Sequence, residues 1–210
     1  MSGFEWRRAT VSSCTVPALM GLCLVLLSGC LGRSPDVEHF VLASQGPAKV
    51  GEAGTTAPAV LVGPVRLPAY LDRPQVARLG AGGSIALDEY TRWLGGFEEN
   101  FLRAVSFEVA RQTGSSRVVT HPSKAPFDFD AKVRLHVDDL VVVEGTSLRV
   151  RIRWSISRAG SPDGLHVFEE DRPLANGSNA SIVAAHDAAL AELGRRIAEA
   201  VALSTRGGEG

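Results

Sequence analysis

Five histidines, at positions 39, 121, 136, 166 and 186, are the side chains best suited to proton transfer or metal ligation. Their spacing argues against both. None makes a His-x-x-x-His pair, which would put two imidazoles on one helix face, and no thiol is free to complete a zinc set. His186 falls on an apolar stripe, where a hydrogen-bonded core histidine is expected. Serines are plentiful, yet none sits in the Gly-x-Ser-x-Gly elbow that presents a nucleophile. The run Gly80-Ala81-Gly82-Gly83 has the composition of a phosphate cradle. The dinucleotide fingerprint would need glycine at position 85, which is Ile85, and no Gly-Lys-Ser/Thr follows, so a surface loop is expected there. The carboxylates of Asp128, Asp130, Asp138 and Asp139 lie close in sequence without an acid–base partner and read as solvated polar positions. No catalytic constellation, cofactor or metal site is expected.

One cysteine does carry chemistry. Arg7 and Arg8 precede an apolar run, residues 16–27, reading VPALMGLCLVLL. As a helix it would span roughly 18 Å, too short for the ~30 Å hydrocarbon core of a bilayer, but the right length for the apolar region of a signal peptide. It ends in Leu27-Ser28-Gly29-Cys30, which matches the bacterial lipobox: a branched apolar residue, two small residues that let a peptidase approach, and a thiol to take a diacylglyceryl group. Cys30 is therefore the expected lipid-attachment site. Each buried acyl methylene contributes ~0.8 kcal/mol, so two or three chains anchor a protein without any membrane-spanning helix. Leu31, not aspartate, follows the cysteine, which by resemblance to Gram-negative lipoproteins implies sorting to the outer membrane. Cys14 and Cys23 leave with the signal, so the mature protein has no thiol for a disulfide.

The elements that position the rest are expected to lie in one domain. Residues 1–29 read as signal peptide, 30–38 as a lipidated tether, 39–203 as the domain and 204–210 as a flexible tail. Residues 39–43 read as a short strand and 44–58 as a Gly- and Pro-containing loop. Residues 59–67 read as a buried strand in which Pro64 removes a ladder bond and forces a bulge or an edge position. Residues 68–85 read as loop. Leu94, Phe97, Phe101, Val105 and Val109 recur at helical spacing and predict a helix over residues 92–111. Val133, Leu135 and Val137 alternate with polar residues, as do Leu148, Val150, Ile152, Trp154 and Ile156 with Arg149, Arg151, Arg153 and Ser155, which predicts an antiparallel hairpin. A turn centred on Gly145-Thr146 would set Val137 opposite Trp154, Leu135 opposite Ile156 and Asp138 opposite Arg153. Asp139 would then fall on the apolar face, so a bulge is expected there. A turn over residues 160–164 leads to a strand over 165–170, and a last helix begins near Ser178 with Ile182, His186, Leu190, Leu193, Ile197 and Val201 as its stripe. The sum is an α+β fold of two layers, a mostly antiparallel sheet with two helices packed on one face.

The overall balance narrows the function classes. Over 210 residues, 22 Lys and Arg against 23 Asp and Glu give a net charge of -1. Nucleic-acid binding through phosphate neutralisation needs a basic chain, and no nucleic-acid partner is expected. Hydrophobic content of 45% excludes a disordered chain. Arg149, Arg151 and Arg153, with Lys132 and Arg134, concentrate positive charge on one sheet face. They read either as a solvated face paired to Asp138, Glu169 or Glu170, or as a surface for an acidic partner or anionic headgroups.

Three stretches together resemble the PqiC-like ABC-type transport auxiliary lipoproteins. The first is the run from Val62 through Pro64, Pro68, Tyr70, Leu71, Asp72, Arg73 and Pro74 to Val76. The second is Arg92-Trp93, and the third is Arg153-Trp154 followed by a terminal helix containing Arg196-Ile197-Ala198. His39-Phe40-Val41-Leu42 sits where such proteins carry an aromatic strand. The sequence departs from the family after Trp93, where Leu94-Gly95-Gly96-Phe97 replaces an Ala-Glu-Pro-Leu type of helix start. The resemblance implies a periplasm-facing lipoprotein of the outer membrane that docks a periplasmic MCE-domain protein, itself bridging to an inner-membrane permease, in a system that moves lipids between the two membranes. It also allows self-association in a ring. Pro68, Tyr70, Leu71 and Arg73, with Arg151 and Arg153, are the expected interface residues, although Tyr70 and Leu71 could equally fill the core. A lipid-binding carrier is the competing reading and would need an enclosed apolar pocket. A hydrolase lacks its nucleophile motif.

Overall fold

The alternation of small β-branched and charged residues that marks the hairpin is realised in the longest ladders of the sheet. A computed structural model describes residues 36–42, 57–158 and 161–206. The signal segment, Cys30 with its tether as far as residue 35, nearly all of the expected 44–58 loop and residues 207–210 lie outside them. The strands are β1 (Glu38–Phe40), β2 (Val60–Arg66), β3 (Gln75–Leu79), β4 (Ile85–Trp93), β5 (Val118–Thr120), β6 (Ala131–Val143), β7 (Ser147–Arg158) and β8 (Ser161–Pro173). The helices are α1 (Phe97–Thr113) and α2 (Asn179–Arg206).

Long antiparallel ladders join β6 to β7, β7 to β8 and β3 to β4, and shorter parallel ones join β1 to β4, β2 to β5, β2 to β6 and β3 to β6. The sheet is mostly antiparallel, with the helices supplying the second layer, the α+β arrangement expected. β7 takes one edge of β6. The other edge is divided: β2 holds it from Ala131 to His136 and β3 from Val142 to Val143. The core lies between sheet and helices, where Leu148, Val150, Ile152 and Trp154 meet Phe101, Val105, Val109, Ile182, Leu190, Leu193 and Ile197.

Pro64 behaves as its chemistry requires. The β2–β6 register slips between Val62 and Val65, so the residue without an N–H falls in a bulge. Gly63 before it has φ of 110°, and a Cβ there would come within 2.9 Å of His121 Cβ, so only glycine fits.

Several boundaries differ from the sequence reading. Residues 68–85 are not all loop, because Val76 and Ala77 are buried in β3. Arg92 and Trp93 do not open a helix; they end β4, whose register puts Phe40 beside Trp93. Gly95, with φ of 82°, breaks the chain direction, and α1 starts at Phe97. β8 starts at Ser161, so residues 161–164 of the expected 160–164 turn are already strand, and Gly160 lies outside the described residues. The hairpin turns more tightly than a Gly145-Thr146 centre allows: Thr146 N–H donates to Val143 C=O at 2.9 Å, across Glu144 and Gly145, both at positive φ. The bulge sits at Asp138, between the pairs Val137–Ile152 and Asp139–Arg151. Turn and bulge each move the register one residue in the same sense. Leu135 therefore faces Trp154 and Val137 faces Ile152, two residues from expectation, and the side-chain parity survives.

Candidate docking surface

Between the end of β2 and the start of β3, residues 67–74 cross the edge of β6 that neither strand covers. Leu71 N–H donates to Pro68 C=O at 2.9 Å, which curls the crossing into a turn, and Trp93 N–H donates to Pro74 C=O at 2.6 Å, which fixes its far end on β4. The Tyr70 hydroxyl donates to Asp139 Oδ1 at 3.1 Å, with a weaker 3.4 Å approach to Asp138 C=O. The loop thus replaces a strand over the bulged part of β6. Prolines suit this place, since they hold the chain extended and need no ladder bond.

The bulge turns two consecutive carboxylates outward, and the arginines gather on them. Arg153 binds Asp138 with two bonds, 2.7 and 2.6 Å, and His136 Nε2 lies 3.2 Å from the same carboxylate. Arg151 approaches Asp139 at 3.6 Å, opposite Tyr70. The Arg153 hydrogen bonds hold the Asp138 carboxyl below its usual range against the opposing effect of partial burial. Burial and the Asp139 carboxylate raise the Tyr70 phenol above its ordinary value, so Tyr70 stays a protonated donor.

Tyr70, Arg151 and Arg153, which the sequence placed in two separate groups, therefore meet on one carboxylate pair. Pro68 is half-buried and Arg73 exposed beside them. Leu71 is 5% exposed and belongs to the core, so its part in any contact is to set the shape of the loop. Asp138 and Asp139, read from sequence as solvated, are the residues that organise the surface. Their signal was a charged pair interrupting an alternating strand.

The arginine stripe is paired as well as exposed. Arg149 reaches Asp171 at 3.4 Å, and Arg172 takes Glu170 at 2.7 Å along the same strand. A cleft of about 540 Å³ opens beside the loop, lined by Asp72, Glu98, Glu99, Arg103, His121 and the apolar Leu102 and Pro122. Among the described residues, no group of three or more His, Cys, Asp or Glu is placed to hold a metal ion. His186 is buried on α2, its Nδ1 2.8 Å from Ile182 C=O and its ring edge-on to Trp93, the satisfied core histidine expected.

Two solved structures share this fold. An uncharacterized protein superposes with a TM-score of 0.63 at 13% identity, covering 79% of this chain and 99% of its own. A Xanthomonas campestris protein of the DUF330 family superposes with a TM-score of 0.60, also at 13% identity, covering 75% of this chain and 94% of its own. No curated protein is matched by the sequence. The family model described as "ABC-type transport auxiliary lipoprotein component" matches residues 40–198, from β1 through most of α2, and the chain belongs to that family.

Proposed function

We propose that this chain is an outer-membrane-anchored docking subunit of an MCE-type intermembrane lipid transport system, held to the membrane by acylated Cys30. The family match over residues 40–198 is the observation that carries the reading. It assigns the chain to ABC transport as an auxiliary component, and the surface described above supports docking: a loop pinned by backbone bonds, beside exposed arginines on a shared carboxylate pair. The partners on this reading are a periplasmic MCE-domain protein and, through it, an inner-membrane permease. The carrier alternative finds less support. The 540 Å³ cleft mixes apolar Leu102 and Pro122 with Asp72, Glu98, Glu99 and Arg103, and a bound acyl chain would have to desolvate those charges.

The test has two arms. Cys30→Ser should move the protein from the membrane to the soluble fraction. Arg73→Glu in the acylated protein should reduce co-purified MCE-domain protein while the melting temperature stays unchanged. Full recovery of the MCE protein with Arg73→Glu and with Tyr70→Ala would refute docking through this loop.

A further inference from the structure

The outer face where β1 meets the end of β4 exposes apolar side chains around His39 and Arg92. The parallel register places His39 beside Arg92 and Phe40 beside Trp93. Phe40, Thr91 and Trp93 point to the helix layer. The alternate positions carry Val37, Val41, Tyr90 and Leu94 on the other side, around His39 and Arg92. Val37 is 43%, Val41 38%, Tyr90 47% and Leu94 59% exposed. Leu94 N–H donates to Phe40 C=O at 2.7 Å, which locks the two segments together. Isolated exposed apolar residues are ordinary, but here the register, continued one residue at each end, sets Val37 beside Tyr90 and Val41 beside Leu94, two adjacent pairs on one face, and such clustering marks a contact.

We infer that this patch rests on the lipid bilayer and sets the orientation of the domain. The inference rests on the proposed acylation of Cys30. Six residues lie between Cys30 and Val37, and the seven steps across them reach about 25 Å at full extension. A domain of this length has a diameter of roughly 40 Å, so the face that receives the tether must stay near the headgroups. Tethering raises the local concentration of the patch at the surface, and weak contacts then suffice to orient it. Its composition fits the interface zone. Valine and leucine meet the acyl boundary and the amphipathic Tyr90 ring prefers the headgroup level, while Arg92 is held by Glu89 at 2.5 Å beside them. Leu165 and Val167 on β8 are also exposed, but they lie at the opposite edge of the sheet, beyond β7, and have no such tether.

The acylated full chain carrying Leu94→Cys, labelled with an environment-sensitive fluorophore, is reconstituted into phosphatidylethanolamine–phosphatidylglycerol vesicles with and without nitroxide-labelled lipid. Ala202→Cys, exposed on the helix layer, is the comparison position. The label at position 94 should lose about half its emission or more to the nitroxide lipid and the label at 202 almost none. Adding Val41→Asp with Tyr90→Ser should abolish the quenching at 94 while the protein stays in the vesicle fraction. Equal, weak quenching at both positions in vesicle-bound protein overturns the inference and leaves the anchor standing, as does a label shielded by a second copy or a partner but not quenched. Protein that never reaches the vesicles because Cys30 is not acylated overturns both.

Discussion

Replacing Gly194 by alanine sets two effects against each other, and the distances decide between them. α2 passes α1 at this residue. A Cβ at Gly194 would lie 2.6 Å from Glu108 Cβ and 2.7 Å from Glu108 Cγ. Alanine in a helix interior is favoured over glycine by ~1 kcal/mol, so propensity alone predicts stabilisation. Carbon atoms, however, reach their optimum only near ~3.8 Å. The helices must part by about 1 Å, or Glu108 must move. Glu108 is 2% exposed and pinned, with Arg111 Nε at 2.9 Å from one carboxylate oxygen and Gln112 Nε2 at 2.7 Å from the other. Overpacking of this kind costs ~1–3 kcal/mol, and disturbing a buried hydrogen-bonded carboxylate adds ~1–3 kcal/mol. After the ~1 kcal/mol propensity gain, a net loss of about 1–5 kcal/mol remains. For a domain of this size that is a fall of roughly 2–20 °C in melting temperature. Circular dichroism melts of the chain from residue 31 onward measure it, with Gly177→Ala as the control, since a Cβ there meets nothing within 4 Å. A Gly194→Ala protein as stable as the parent would refute the packing argument.

Tyr70→Phe removes the donor to Asp139 and should cost about 1 kcal/mol, with faster hydrogen exchange at the Leu71 amide; unchanged exchange would mean the hydroxyl does not hold the loop. Burial lowers the His186 imidazole to about 4, below its unfolded value near 6.5. The unfolded chain therefore binds the extra proton first: stability is complete above about pH 6.5 and falls by up to about 3 kcal/mol as pH drops towards 4. Urea midpoints across that range should flatten in His186→Leu, and an equal slope in the variant would assign the loss to other groups. Arg153→Gln, at an exposed ion pair to Asp138, should leave the urea midpoint in the same assay unchanged, and a clear drop would show that the pair stabilises the bulge.

What could be read in the sequence was what depends on local pattern. The β6–β7 hairpin, the α2 stripe and the Pro64 bulge follow from alternation, helical spacing and one missing N–H. β3 and β4 did not show. Only Thr91 and Trp93 are buried in β4, and the loop of Asp88 bonds to the Tyr90 and Thr91 amides interrupts its alternation. The hairpin register was wrong by two residues because an even shift keeps every side chain on its proper face, so the apolar pattern cannot detect it. Only the turn and the bulge could, and both depend on backbone angles at Glu144 and Asp138.

The docking surface was half legible for the same reason. Each candidate group was visible as residue types, the proline-rich run and the arginine stripe. Their meeting was not, because it requires β6 to share one edge between β2 and β3, a non-local pairing with no sequence signature. Once that gap exists, its consequences are forced. Backbone groups of residues 137–141 need cover, a strand cannot continue through the prolines, and a hydroxyl at position 70 can reach the carboxylates that the bulge turns out. β4, on which the far end of the loop is fixed by the Trp93–Pro74 backbone bond, also pairs with β1 to carry the apolar patch. On the proposed reading, docking at Tyr70 and bilayer contact at Leu94 would act through neighbouring segments, the loop over β6 and the end of β4.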